Sequence, residues 1–221
     1  MIRIIGIIHV IDITSKVYAA IDYYAPSAVG IELDGKRLDS LIRGEYENRL
    51  SIAGILSSLQ RRIAMSSNII PGGEMLAAYR KATMNQIPVV LIDDDIEEIY
   101  VKIKGIPVKE KVRIIIDTLF SLPFSRRFTI DELLDNEDLM IEKFRKRYPM
   151  LHEYLLVERN RNMASRIIDM EKKYGNVLIF SGDAHLPGLG ELIPDAEIIR
   201  LREFLKMNIP NNTFNFSIRI S

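Results

Sequence analysis

The 221 residues suit one large domain, or one domain carrying an inserted helical cap, and they can bury a sizeable core. Hydrophobic residues make up 48% and charged residues 27%, which excludes wholesale disorder; 30 basic side chains balance 30 acidic ones, which leaves no net charge to attract a nucleic acid. The absence of cysteine excludes disulfides, thiolate metal sites and a cysteine nucleophile, and fits a reducing, cytoplasmic setting.

In chain order, Ile2 to Ile8 is a β-branched run of the kind that forms a strand buried on both faces. It is too short for a signal segment and passes directly into the polar His9 and Asp12. Lys16 to Tyr24 reads as a helix that stops before Pro26, and Ala28 to Leu33 as the second strand. Strand, helix and strand in so short a span make a right-handed βαβ unit with parallel strands.

Ser40 to Ser67 has helical period, with Ile52, Ile55, Leu56, Leu59 and Ile63 on one apolar stripe. Pro71-Gly72-Gly73 breaks the chain, Glu74 to Met84 is helical, and Ile87 to Ile92 is a third strand ending in Asp93-Asp94-Asp95. Those three carboxylates suit either a hard cation or, preferably, the cap of the next helix. Residues 104–149 read as an inserted helical cap, with a capping box of Thr129 and Glu132, and its basic cluster Lys143, Arg145, Lys146 and Arg147 reads as a solvated face.

Met150 to Tyr174 is a long helix, Asn176 to Ser181 a fourth strand and Glu197 to Leu201 a fifth. The tail, residues 210–221, alternates strictly at Phe214, Phe216, Ile218 and Ile220, and reads as a strand that joins the sheet or completes a homodimer. No run approaches the roughly 18 apolar residues that a membrane span requires. The expected architecture is a single α/β domain over residues 1–221, a mainly parallel sheet flanked by helices.

One device occurs twice, Gly6-Ile7-Ile8-His9 and Gly182-Asp183-Ala184-His185, each a glycine followed three residues later by histidine beside an apolar strand. Glu32 also ends a strand, and in open parallel sheets the carboxyl edge is where ligands bind. His9, Glu32 and His185 are therefore expected to converge. Two imidazoles and a carboxylate suit Mn, Co, Fe or Zn with a position left open; the metal-free version uses one histidine as a general base oriented by Glu32. A histidine merely hydrogen-bonded in the core is the competing reading, disfavoured by the duplication.

Six ordered pieces carry a family resemblance: Gly6 to Val10, Val29 to Asp34 with Arg37 behind it, Pro71 to Met75, Leu91-Ile92-Asp93, Tyr148 to Ala164 with its Glu158-Arg159-Asn160-Arg161 core, and Gly182 to Gly188. The chain resembles the TraB family, which includes the pheromone-shutdown proteins and is similar to the Tiki metalloproteases. The wider group takes in erythromycin esterases and haem-binding ChaN-like proteins. The resemblance implies an α/β core with His9, Glu32, His185 and Glu158 or Glu74 as site carboxylates and imidazoles, and Arg37, Arg159 and Arg161 to fix carboxylates or hold a substrate's negative group.

Two features depart from the pattern: Asp94 stands where many relatives have arginine, and relatives often continue into C-terminal membrane helices. The resulting expectation is a metal-dependent hydrolase of peptide or amide bonds, using Mn-, Co- or Zn-activated water with Glu32 or Glu158 taking the proton. The alternative is a non-catalytic protein that sequesters a peptide, haem or small ligand in the same pocket. The expected partners are a peptide or small-molecule substrate and a second copy of the chain, with no nucleic acid.

Overall fold

The computed structural model describes residues 1–8, 12–44, 72–121 and 130–210. His9, Thr129, most of the expected 40–67 helix and the expected tail strand lie outside the described residues.

Five strands form one parallel sheet: β1 (Ile2–Ile7), β2 (Ala28–Ile31), β3 (Val89–Leu91), β4 (Val177–Gly182) and β5 (Glu197–Ile199). Their spatial order is β3-β2-β4-β1-β5. The strands are rich in Ile, Val and Leu because both sheet faces are covered, which is the usual state of a parallel sheet. Alternate residues divide between two cores. Ile5, Ile7, Val29, Ile31, Leu178 and Phe180 face one way, against helices α1 (Thr14–Tyr24), α2 (Gly35–Arg43) and α3 (Gly73–Met84). Ile2, Ile4, Ala28, Val177 and Ile179 face the other way.

The helices between β3 and β4 are α4 (Ile96–Lys104), α5 (Val108–Ser121), α6 (Ile130–Arg147), α7 (Pro149–His152) and α8 (Glu158–Tyr174). α8 and α9 (Leu186–Leu192) cover the second sheet face through Met163, Ile167, Met170, Leu186 and Leu189. Ile99, Ile103, Ile106, Ile114 and Leu151 make a separate small core among α4, α5 and α7, with Phe144 and Tyr148 packed against it. The final helix is α10 (Leu201–Lys206), whose Phe204 enters the first core. Its C-terminal carbonyls are gathered by one ammonium: Lys16 Nζ donates to the oxygens of Phe204, Leu205 and Met207 at 2.8, 2.6 and 2.9 Å. A cation there offsets the negative end of the helix.

Several strands are shorter than expected, and Leu201 opens α10 instead of ending the fifth strand; two helices also differ. The helix after β2 begins at Gly35, earlier than Ser40, because Asp34 caps it by accepting from the Arg37 amide at 3.0 Å. The expected helix from Met150 to Tyr174 is divided by a π-helical turn over Glu153–Val157. An added residue in a helical turn rotates everything that follows relative to what precedes. Arg159 Nη1 donates to the Leu155 carbonyl within that turn at 2.9 Å. No described helix is long and apolar enough to cross a membrane.

Candidate functional site at the carboxyl edge of the sheet

Strand order creates the site. The chain leaves β1 and β2 toward helices on one face and leaves β4, which lies between them, toward α9 on the other. Such a divergence between neighbouring parallel strands opens a crevice at their carboxyl ends. Ile31 is in register with Phe180, so the next residues, Glu32 and Ser181, come side by side. On the other flank of β4, Gly6 pairs with Ser181 and Ile7 with Gly182, which sets the strands bearing the two Gly-x-x-His motifs against each other. After Gly182 a 3₁₀ turn, Asp183–His185, carries His185 into the edge, and α6 packs against this turn.

Glu32 is bonded through both oxygens. Oε2 accepts from Ser181 Oγ at 2.6 Å and from the Gly182 amide at 2.7 Å. Oε1 lies 2.6 Å from Arg159 Nη2 and 3.1 Å from His185 Nε2. The other ring nitrogen, Nδ1, is 2.6 Å from Asn160 Oδ1. Burial alone would raise the Glu32 carboxyl's pKa. The charges of His185 and Arg159, with hydrogen bonds from His185 and Ser181, outweigh burial and hold it well below the ordinary range.

Beyond Glu32 the network continues as alternating charge. Arg159 forks onto Asp93, with Nε to Oδ1 at 2.9 Å and Nη2 to Oδ2 at 2.6 Å. Arg37 joins Asp93 to Asp34, at 2.5 Å to each. Burial works to raise Asp93 as well, yet Arg159 and Arg37 hold it low. The three consecutive aspartates thus part company. Asp93 enters this network, Asp94 pairs with Arg166 and Asn162, and Asp95 caps α4 by accepting from the Glu97 amide.

Of the residues expected from sequence, Glu32, His185, Arg159 and Arg37 are brought into one connected group. Glu158 bonds Lys102 of α4 at 2.6 Å, and Arg161, 60% exposed, pairs with Glu153 on the outside of α8. Glu74 is buried in the first turn of α3. His9 lies outside the described residues. Sequence reading assigned no site role to Ser181, Asn160 or the Gly182 amide, and offered Asp93 only as part of a helix cap or cation site. Their partners are remote in the chain.

Among the described residues there is no group of three or more His, Asp or Glu side chains able to hold a metal ion. His185 Nε2 and Glu32 Oε1 lie 3.1 Å apart, a separation that two ligands with bonds of about 2 Å to a shared ion would have, although Oε1 also takes Arg159 Nη2 at 2.6 Å. The Nδ1 contact to Asn160 is the kind of outer bond that orients a ligating imidazole.

Fold and edge together define an α/β protein with a buried acid–imidazole–guanidinium group at the strand ends. The family model for the TraB/PrgY/gumN family matches residues 28–194, and the chain belongs to that family. The matched span contains Glu32, Asp93, Arg159 and His185. An uncharacterized protein of Methanocaldococcus jannaschii, MJ1365, is 29% identical over 227 residues; the match covers 93% of this chain and 57% of that relative, so the chain spans little more than half of the relative's length. No solved structure matches.

Proposed function

We propose that the protein hydrolyses peptide or amide bonds, with Glu32 and His185 as the working pair and a divalent ion held by them. The observation that carries this reading is the 3.1 Å approach of His185 Nε2 to Glu32 Oε1 at the carboxyl edge of the sheet.

The two side chains suit the role in complementary ways. Glu32 remains anionic through the neutral range, which is the state a ligating carboxylate needs. Both imidazole nitrogens face acceptor oxygens, Nδ1 toward Asn160 Oδ1 and Nε2 toward Glu32 Oε1. An ion held at Nε2 would take the place of the contact to Glu32 Oε1 there. A divalent ion there would polarise a carbonyl and make water acidic enough to react at neutral pH. Arg159 orients Glu32 from one side, while Ser181 and the Gly182 amide hold its other oxygen.

Metal-stripped protein titrated with Mn, Co or Zn tests this reading. Wild type should melt higher with added ion, by mass action about 2.7 kcal/mol at a hundredfold excess over Kd. Glu32→Gln and the His9→Ala/His185→Ala double variant should not respond. Reloaded wild type should cleave members of a peptide and ester panel, and Glu32→Gln should not. Equal thermal shifts in wild type and the double variant would place the ion elsewhere and end the metal-hydrolase reading. Tight retention without turnover on the whole panel would support ligand sequestration instead.

A further inference from the structure

We propose that Asn160 is the positioning residue for His185: it fixes the proton on Nδ1 and so makes Nε2 the atom offered to Glu32, and through it to a cation or a substrate proton. Its importance depends on Glu32 and His185 being the working pair, but its effect on the ring does not depend on turnover.

Asn160 grips His185 at two points. Oδ1 lies 2.6 Å from Nδ1, and Nδ2 donates to the backbone oxygen of His185 at 3.4 Å. An amide oxygen only accepts, so the short contact requires a proton on Nδ1. The reversed amide would bring its oxygen against the His185 carbonyl oxygen, so the second contact selects the first. Asn160 is buried, and its space is kept open by a glycine: a Cβ at Gly188 would lie 2.2 Å from Asn160 Nδ2 and 3.4 Å from its Cγ. The preceding residue, Arg159, holds Glu32 at 2.6 Å. Two consecutive side chains of α8 therefore hold the two members of the pair, Arg159 reaching the end of β2 and Asn160 the turn after β4.

Two near-isosteric substitutions separate positioning from packing. Asn160→Asp keeps an acceptor for Nδ1 and loses the donor to the carbonyl; Asn160→Leu loses both. Gly188→Ala displaces Asn160 without changing it and supplies a second route should Asn160→Leu not fold. Each full-length variant is labelled with ¹⁵N-histidine, and NMR at neutral pH reads whether His185 Nδ1 carries a proton. Mn²⁺ affinity is measured on the same samples.

The expected result is a protonated Nδ1 in wild type and Asn160→Asp, and its loss in Asn160→Leu and Gly188→Ala. Mn²⁺ affinity should fall by about 10- to 100-fold in the latter two and far less in Asn160→Asp. Unchanged ring signals in a folded Asn160→Leu protein would overturn the proposal. Equal impairment of Asp and Leu variants would also overturn it, because the bond to the carbonyl would then be the one that matters. The expected ring pattern without Mn²⁺ binding in any variant would uphold Asn160's role and remove the metal from the proposed function.

Discussion

Arg159 meets Asp93 through two parallel bonds, Nε to Oδ1 at 2.9 Å and Nη2 to Oδ2 at 2.6 Å, and shares Nη2 with Glu32. Asp93 is fully buried, and Arg159 and Glu32 are 12% and 9% exposed. Removing one member of such a group leaves buried charge unpaired, which costs about 3–5 kcal/mol. Arg159→Met should lower stability by that amount in chemical denaturation. Arg159→Lys, which keeps the charge without the fork, should fall between. Arg161→Met is the control: an exposed pair should change stability by no more than about 0.5 kcal/mol.

The same carboxylates set an acid limit. Glu32 and Asp93 are both depressed from ordinary values of 4.5 and 3.8. A carboxyl with a lower pKa folded than unfolded contributes stability that is complete above its unfolded value and is lost as pH falls through its folded value. The melting temperature of wild type should therefore drop as pH is taken below 4.5 and continue to drop below 3.8. In Arg159→Met, which removes a principal cause of both depressions, the slope of melting temperature against pH in that window should be shallower. An unchanged slope would show that these two groups are not what titrates.

Gly6 belongs to the first Gly-x-x-His motif, but the side chain it makes room for is in the second. A Cβ at Gly6 would lie 1.8 Å from Asp183 Oδ1 and 2.9 Å from Leu186 Cδ2. Asp183 has little freedom to yield, because it accepts from Arg200 Nε at 2.7 Å and from the Leu201 amide at 2.6 Å. Gly6→Ala should destabilise by about 1–3 kcal/mol or prevent folding. Gly30→Ala should cost less, since the obstructing atom there is the terminal methyl of Ile179. Thermal melts of the two variants, which share the same chemical change, provide the comparison.

His152 should be dispensable for the site. It sits in α7, with its ring 6.0 Å from that of Phe144, and burial lowers its pKa. His152→Ala should leave Mn²⁺ affinity unchanged in the titration that abolishes binding for the His9→Ala/His185→Ala protein. Loss of binding in His152→Ala would place the ion at His152 and not at the sheet edge.

The sequence by itself determined the parallel α/β class and the placement of Glu32 and His185 at strand ends. Runs such as Ile2–Ile7 and Val177–Phe180 report burial on both faces, and a polar residue that ends such a run marks the edge of the sheet. Local pattern also revealed the two Gly-x-x-His motifs, although not that Gly6 serves Asp183. Only the tertiary structure decided that β4 lies between β1 and β2, because strand order depends on which apolar faces pack together rather than on the period of any one segment. From that order follow Ser181 beside Glu32 and His185 above it. The same holds for Asp93, whose neighbours in sequence suggested a cap or a cation, whereas its partners Arg37 and Arg159 come from α2 and α8. The π turn before Glu158 helps to set the rotation of α8, and with it which of Glu158, Arg159 and Arg161 faces the sheet. Ion pairs form between charges that the fold brings together, and one extra residue in a helical turn is enough to change which charges those are.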